Sequence, residues 1–324
     1  MMAFLGRRWF LLILAGGVAL ALARPELFQV WTGPLNPRLV VGASLFLMAW
    51  TLPASHLRQE LFRPWAALWA LALSYGLLPA AAWIIGQGLL PDYRIGIQII
   101  ASVPCTLASV VLWTRLAGGN EATALLVILL STATSWLVTT AWLGLATGIH
   151  LAGGELQEMM TDLLLTLVVP VTLGQAARSV GALARTADRF RVGISLVAQF
   201  LVLTIIFKAA ADVGSKIHQG DRAVELGPLL TAAIACIGLH LGTLFTGLIS
   251  SRWLGLVRPQ QIVVAFAASQ KTLPVALVLF ENYFRRDFPL AILPLLLYHV
   301  SQLILDTFVA EAMAAKRTAT PTEQ

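Results

Sequence analysis

The sequence predicts an all-α, polytopic membrane protein with ten transmembrane helices, arranged as two inverted five-helix repeats. Three observations support this expectation. The 324-residue chain is 58% hydrophobic and only 12% charged, whereas soluble domains carry about 25% charged residues. Ten apolar segments approach the roughly 20 residues that a membrane-spanning helix needs. Two of these segments, half a chain apart, contain similar polar interruptions with a proline.

The ten predicted helices are joined by short connections, so no soluble domain fits between them. Their approximate ranges are 9–23, 38–54, 64–88, 93–114, 121–147, 158–178, 191–213, 227–250, 259–283 and 288–314. We expect a first repeat over 1–157, a second repeat over 158–315 and a polar cytoplasmic tail over 316–324. Because each repeat holds an odd number of helices, tandem duplication gives the two repeats opposite orientations.

The first apolar segment has two interpretations. Arg7 and Arg8 precede an apolar run that ends in Ala21-Leu22-Ala23, a pattern that also resembles a cleaved signal peptide. We expect residues 1–23 to be retained as the first helix, because the count of ten requires it. Cleavage stays the alternative.

Basic residues predict the orientation of the chain. If both termini are cytoplasmic, thirteen Lys and Arg residues lie on the inner side and eight on the outer side, and the connection Arg178–Arg191 alone holds four arginines. The predicted location is therefore the cell membrane, either a bacterial inner membrane or a plasma membrane. Because the net charge of +6 is spread over short connections, it indicates topology and not nucleic-acid binding.

The two interruptions lie in predicted helices 4 and 9. They are Ala101–Ser109 (ASVPCTLAS) and Ala267–Pro274 (AASQKTLP). Discontinuous helices at corresponding places in two repeats indicate a binding site near the bilayer midplane. The alternative is a pair of ordinary proline kinks, because proline is more frequent in membrane helices than in soluble ones.

Lys271 lies about 18 Å into predicted helix 9, near the centre of the bilayer. A lysine there costs at least about 2.5–3.5 kcal/mol, so a functional role is the default hypothesis. It either attracts an anionic substrate together with the N-termini of the half-helices, or it replaces a bound cation and takes up and releases a proton. A structural ion pair with Asp306 is the remaining alternative.

The candidate binding residues lie at the interruptions or on neighbouring helices. They are Lys271, Gln270, Ser269, Thr272, Cys105, Thr106, Ser109, Ser131, Thr132, Ser135 and Asp306. The helix 5 hydroxyls either coordinate an ion beside helix 4 or bond back to carbonyls of their own helix. No cofactor is expected; the candidate coupling ions are a proton and a sodium ion near Ser109, Ser131 and Gln270. His240 and His299 lack metal-ligand spacing, so we expect hydrogen-bonded packing residues.

Three segments resemble the bile acid:sodium symporter family, and most closely its SBF-like branch. They are Pro104–Leu112 (PCTLASVVL), Thr114–Ala122 (TRLAGGNEA) and Ser269–Pro274 (SQKTLP). The resemblance implies a panel of helices 1, 2, 6 and 7 that moves against a core of helices 3–5 and 8–10. It also implies that helices 4 and 9 cross at their breaks, with alternating access and an organic anion as substrate.

Three positions depart from the pattern of the sodium-coupled members. Those members carry a Ser-Asn pair where this chain has Ser109 and Val110, a glutamate at the place of Phe266, and a Gln-Asn pair where it has Gln270 and Lys271. One acidic ligand is lost and one positive charge is gained. The pattern therefore disfavours a two-sodium site.

The sequence thus predicts a secondary active transporter of a small organic anion in the lipid bilayer. A non-transporting regulatory or ion-sensing membrane protein is the alternative. A membrane enzyme is disfavoured, because it needs an acid–base or nucleophile constellation and the sequence contains no G-x-S-x-G or H-E-x-x-H motif.

Overall fold

The computed structural model describes residues 2–53, 57–146, 153–218 and 224–319, and within these ranges the chain is helical, with no strand. The helices are α1 (Met2–Ala23), α2 (Glu26–Thr32), α3 (Pro37–Thr51), α4 (Leu57–Leu61), α5 (Trp65–Ala72), α6 (Leu78–Gly86), α7 (Pro91–Ser102), α8 (Ser109–Ala117), α9 (Glu121–Ala146), α10 (Gly153–Leu163), α11 (Val169–Ser179), α12 (Gly181–Arg189), α13 (Arg191–His218), α14 (Leu226–Trp253), α15 (Arg258–Ser269), α16 (Leu273–Leu279) and α17 (Ile292–Ala319). Wider π-turns occupy Leu73–Leu77, Leu164–Val168 and Phe280–Phe284, and a 3-10 turn occupies Pro289–Ala291.

Seven stretches of helix are long and apolar enough to cross a membrane. An eighth is added if Ile13–Ala23 and α2, which are bent by 105° against each other, count as one span. The other predicted spans are shorter: α3 has 15 residues, α7 has 12 and α8 has 9, below the roughly 20 that cross a bilayer. The protein is therefore a polytopic membrane protein with seven or eight spans by length and composition among the described residues.

The last helix ends later than the predicted residue 314. Helix α17 continues to Ala319, and the polar tail over 316–324 stays a prediction. Residues 320–324 of that tail lie outside the described residues.

The helices pack in two groups. In the first group, α3 packs against α11 and α13, and α1 packs against α13. In the second, α15 packs against α14 and α5, and α17 packs against α7, α8 and α14. Glycines allow close approach within the first group, because a Cβ atom on Gly214 would lie 2.5 Å from the carbonyl oxygen of Leu22.

The stretch Arg258–Phe284 is the most enclosed part of the fold. Its apolar window is wholly buried, whereas α13 and α14 expose large apolar residues such as Phe200 and Trp253. A membrane helix can contain unpaired backbone groups only where protein or a water-filled cavity surrounds it. The fold therefore places the polar interruption of the predicted helix 9 where such a break is tolerated.

A polar cluster joins the two groups of helices at Asp162. This carboxylate in α10 is buried and lies 2.6 Å from Nη2 of Arg38 in α3. It also accepts a 2.6 Å hydrogen bond from the hydroxyl of Tyr283, in the π-turn that follows α16. The cluster therefore ties α3 and α10 to the end of the enclosed stretch.

We expect Tyr283→Phe to lower stability more than Arg38→Gln. The Tyr283 hydroxyl bonds to a charged, buried acceptor, and such a bond is worth about 1.5–3 kcal/mol. The Arg38 side chain is 42% exposed, so its ion pair contributes at most about 1 kcal/mol and weakens in salt. Thermal unfolding of the purified variants at low and high salt measures both effects. Two results would contradict this ranking of the two contacts. One is an equal loss of stability in both variants, and the other is a loss in Tyr283→Phe that depends on salt.

Candidate binding site at the crossing of two broken helices

Two helical breaks meet inside the second group of helices. Helix α7 ends at Ser102 before α8 begins at Ser109, and α15 ends at Ser269 before α16 begins at Leu273. The backbone N–H of Thr272 donates a 3.1 Å hydrogen bond to the carbonyl oxygen of Pro104. The polar interruptions seen in the sequence are therefore breaks in the structure, and their backbones touch.

Proline accounts for both breaks. A residue before proline avoids the helical conformation, and Val103 is extended, with φ −72° and ψ 161°. Pro274 occupies the first turn of α16, where its missing N–H costs no helical hydrogen bond. One helix thus ends just before a proline, and the other begins again at one.

Lys271 is fully buried at the crossing and is held by uncharged oxygens. Its Nζ atom donates to the carbonyl oxygens of Ser74 at 2.8 Å and Val103 at 2.9 Å, and to the Ser74 hydroxyl at 3.0 Å. It also lies 5.1 Å from the centre of the Tyr75 ring, within the range of a cation–π contact. Three oxygens match the three donors of an ammonium group.

The alternative of an ion pair between Lys271 and Asp306 is wrong. Both side chains are fully buried, but Asp306 contacts His240 and Gln270. No ion pair of Lys271 occurs among the described residues. The ammonium has already used its three donors on Ser74 and Val103, so it has none left for a carboxylate.

The π-turn explains why the Ser74 carbonyl is available. The N–H of Leu78 bonds to the carbonyl of Leu73, five residues earlier. In this wider register the carbonyl of Ser74 would bond to residue 79, which is a proline and has no N–H. Ser74 was not among the residues predicted from the sequence. The signal that could have identified it is Pro79, five residues later, which has no N–H to bond to the Ser74 carbonyl.

Gln270 connects the two broken helices through its side chain. Its Oε1 accepts hydrogen bonds from the hydroxyls of Thr106 at 2.8 Å and Ser109 at 2.7 Å, which also contact each other. Its Nε2 donates to Oδ2 of Asp306 at 2.5 Å. The structure therefore brings four predicted site residues together: Gln270, Thr106, Ser109 and Asp306.

Asp306 also contacts a histidine that sequence reasoning treated as packing. Nε2 of His240 lies 2.9 Å from Oδ1 of Asp306, and both side chains are fully buried. The other ring nitrogen lies 3.3 Å from the carbonyl oxygen of Ser269, which also accepts a 2.7 Å hydrogen bond from the Tyr298 hydroxyl. The sequence gives no signal for this contact, since α14 and α17 meet only in the folded chain.

The helix 5 hydroxyls, in α9, lie mostly on their own helix. Ser131 donates to the carbonyl of Ile128, and its oxygen lies 3.0 Å from the Cys105 sulfur. Ser135 donates to the carbonyl of Thr132, whose own hydroxyl has no hydrogen-bond partner among the described residues. Of the three residues predicted around a sodium ion, Ser109 and Gln270 bond to each other, and Ser131 bonds to Cys105 instead.

Gln302 in α17 fixes the backbone of Lys271. Its Oε1 accepts from the Lys271 N–H and its Nε2 donates to the Lys271 carbonyl, both at 2.9 Å. A side-chain amide thus supplies both hydrogen bonds that a helix would otherwise supply, and it fixes the direction of the lysine side chain. Nε2 also lies 2.9 Å from Nδ1 of His299.

We expect Gln302→Leu to destabilise the protein strongly and Gln302→Glu to do so less. The leucine leaves two buried backbone groups unpaired, at about 1–3 kcal/mol each. A glutamate in its neutral acid form keeps an acceptor for the Lys271 N–H and an O–H donor for the Lys271 carbonyl. Thermal unfolding of both variants measures the difference, and Gln199→Leu, at a half-exposed position of α13, is the control. A leucine variant as stable as the wild type would show that Gln302 does not hold the backbone of Lys271.

The crossing opens to its surroundings on one side. Ala108 is exposed and Ser109 is half-buried, whereas Cys105, Lys271 and Asp306 are buried. Within the described residues, no group of three or more His, Cys, Asp or Glu side chains forms a metal site. Ser109 is therefore the least buried of the polar side chains that meet at the crossing.

Comparison with known proteins places this architecture in a family. A profile of the SBF-like CPA transporter family matches residues 8–315. Sodium/bile acid cotransporter 7 of Danio rerio is 24% identical over 317 residues, which cover 92% of this chain and 91% of the relative. The protein of the same name from Mus musculus is 24% identical over 320 residues, with 92% and 90% covered. An uncharacterized protein of Pseudomonas aeruginosa is 29% identical over 234 residues, with 70% and 67% covered.

The family match extends through both broken helices, so it confirms the resemblance that Pro104–Leu112, Thr114–Ala122 and Ser269–Pro274 predicted. It fits an all-helical chain with several spans and a buried polar crossing. The chain is a membrane transporter of the bile acid:sodium symporter type, and it belongs to the SBF-like CPA transporter family.

Proposed function

We propose that the protein is a secondary active transporter that carries a small organic anion across the cell membrane by alternating access. The observation that carries this proposal is the buried ammonium of Lys271 at the point where two broken helices meet. A fixed positive charge in a low-dielectric site attracts a negative ligand. The half-buried Ser109 gives such a ligand a polar entrance.

The geometry favours one of the two roles expected for Lys271. Its three donors are occupied by Ser74 and Val103, so it does not bind a substrate directly. Carbonyl oxygens are ligands of hard cations in proteins, and here two carbonyls and a hydroxyl accept hydrogen bonds from the ammonium instead. Lys271 therefore supplies the charge of a cation from within the chain.

If Lys271 supplies the charge of a cation, a sodium ion is not needed at this place. Relatives are named as sodium/bile acid cotransporters, so a bile acid or a similar amphipathic anion is the first substrate class that we propose. Sodium at the Lys271 position is not part of the proposal, because the ammonium fills that place. Phe266 and Val110, both buried and apolar, leave fewer oxygen ligands for sodium nearby.

We propose ten membrane segments in two inverted five-helix repeats, with α7–α8 and α15–α16 as the broken helices 4 and 9. The first packing group, α1–α3 with α10–α13, is the panel. The second group, α5–α9 with α14–α17, is the core that holds the crossing, and both termini are cytoplasmic. The direct packing of α3 on α11 and α13, and of α17 on α7 and α8, supports this division.

Uptake into proteoliposomes tests the function. Purified protein is reconstituted and supplied with radiolabelled taurocholate, and in parallel with benzoate and a short dicarboxylate. We expect saturable uptake of at least one probe, absent from protein-free vesicles and strongly reduced by Lys271→Met. If no probe shows saturable uptake while one still raises the melting temperature, the regulatory or sensing alternative is favoured.

A further inference from the structure

The contacts of His240 require a particular number of protons. Its Nδ1 faces the carbonyl oxygen of Ser269 at 3.3 Å, and its Nε2 faces Oδ1 of Asp306 at 2.9 Å. A carbonyl and an ionised carboxylate can only accept hydrogen bonds, whereas a neutral imidazole has a single N–H to donate. With both groups in their usual neutral-pH forms, one ring nitrogen would point a lone pair at an oxygen.

One additional proton satisfies both contacts. The pair then consists either of an imidazolium facing a carboxylate or of a neutral imidazole facing a carboxylic acid. In each case Nδ1–H points to Ser269, and one proton lies between Nε2 and Oδ1. Without this proton the neutral imidazole has a single N–H for two acceptors, so one of its two ring nitrogens points a lone pair at an oxygen. The two contacts, at 2.9 Å to Asp306 and 3.3 Å to Ser269, therefore exist as hydrogen bonds at the same time only when this proton is present.

The neighbouring titratable groups are engaged elsewhere. The Tyr298 ring lies edge-on to His240 at 5.9 Å, and its hydroxyl bonds to Ser269. Five other buried titratable groups lie in or near the crossing. Lys271 is held by Ser74 and Val103, and Tyr75 and Cys105 both bond to Ser131. Cys236 lies 3.6 Å from the Pro294 carbonyl, and His299 bonds to Gln302. The shared proton is therefore a property of His240 and Asp306 together.

Gln270 connects this pair to the entrance of the crossing. Its amide donates to Asp306 and accepts from Thr106 and Ser109, so its orientation is fixed by three partners. With the shared proton in place, the pair is neutral and Lys271 gives the crossing a net charge of one positive unit. Without that proton the pair is negative, and the crossing is neutral overall.

We propose that His240 and Asp306 form the proton-binding site of the transporter and that one proton moves with each monovalent anion. This inference rests on the proposed function. The proton arrives from solvent on one side, occupies the site between Nε2 and Oδ1, and is released to solvent on the other side. The net positive crossing binds the anion, and loss of the proton removes the charge that holds it.

Nuclear magnetic resonance of the histidine nitrogens tests the proton site without any substrate. The full chain is labelled with ¹⁵N-histidine in lipid nanodiscs, and His240 is assigned by the signal lost in His240→Gln. We expect its Nε2 signal to move between acidic and alkaline buffer and to change in Asp306→Asn. Asp306→Glu, which keeps an acid, supplies the assignment if His240→Gln does not fold. A His240 signal that is the same in both buffers overturns the proposal.

Uptake driven by a proton gradient tests the coupling. Wild-type proteoliposomes receive radiolabelled taurocholate with the outside more acidic than the inside. One proton per anion gives about tenfold accumulation per pH unit, and a protonophore abolishes it. Saturable uptake that ignores the gradient overturns the coupling and leaves the carrier function intact. Absence of uptake counts against the carrier function, and the resonance of His240 then decides the proton site by itself.

Discussion

Lys271→Asn is expected to give a protein that sodium stabilises, whereas we expect no stabilisation of the wild type by sodium. The substitution removes the ammonium from the Ser74 carbonyl, the Ser74 hydroxyl and the Val103 carbonyl. These oxygens are then buried without a donor, at about 1–3 kcal/mol each. The new carboxamide adds a fourth oxygen, and the sodium-coupled members of the family that this chain resembles carry asparagine at this place.

The size of the expected stabilisation of Lys271→Asn by sodium can be calculated. A ligand at ten times its dissociation constant stabilises the folded state by about 1.4 kcal/mol. In a chain of this length that corresponds to a rise in melting temperature of roughly 2 °C or somewhat more. Thermal unfolding in sodium chloride and in choline chloride of equal ionic strength measures the rise.

Lys208→Asn is the matched control. Nζ of Lys208 also donates to two carbonyl oxygens, those of Thr32 and Gly33 at 3.3 and 3.4 Å, but this lysine is half-buried. Water can replace its ammonium, so no sodium response is expected. If sodium raises the melting temperature of wild type, Lys208→Asn and Lys271→Asn alike, the ammonium does not stand in for a cation.

Gly96→Ala is expected to have the largest effect on folding. A Cβ atom at this position of α7 would lie 2.1 Å from the carbonyl oxygen of Ala291 and 3.0 Å from Cγ of Pro294. The close atom belongs to the backbone, so no side-chain rotation relieves the clash. Overpacking of this kind costs about 1–3 kcal/mol and sometimes more. Helices α7 and α17 would move apart, which would displace Val103, directly after α7, and Asp306 in α17.

Gly242→Ala in α14 provides the comparison. No described atom lies within 4 Å of a Cβ atom built there, and alanine favours a helix by about 1 kcal/mol over glycine. We expect a small rise in melting temperature for Gly242→Ala and a loss of folded protein for Gly96→Ala. Size-exclusion profiles and melting temperatures of both variants measure this. A Gly96→Ala variant that melts with wild type would show that the two backbones do not touch.

The sequence was informative wherever proline or charge marks a local constraint. Pro104 and Pro274 show where helices end, and the depth of Lys271 indicates a buried polar crossing. The family resemblance follows from residues that lie around these breaks. The number of spans was predicted less well. The sequence predicted ten, whereas seven or eight stretches among the described residues are long and apolar enough to cross a membrane, because α3, α7 and α8 are short.

The partners of the site could not be predicted, because they depend on contacts between distant helices. Ser74 reaches Lys271 across 197 residues and His240 reaches Asp306 across 66. Periodicity does not indicate which helices become neighbours. The sequence leaves a pair of Lys271 with Asp306 open as an alternative, yet the partners of Lys271 are neutral oxygens, freed by a π-turn and by an extended Val103.

The enclosed stretch Arg258–Phe284 has a consequence for biogenesis. It leaves the ribosome before α17, which supplies Gln302 and Asp306, and it carries a lysine that is costly in lipid. Until α17 has been synthesised, the peptide group of Lys271 and the amide of Gln270 lack these partners. Nascent chains that stall before Gln302 should therefore remain at the insertion machinery or be degraded, while chains that include Asp306 are released into the bilayer.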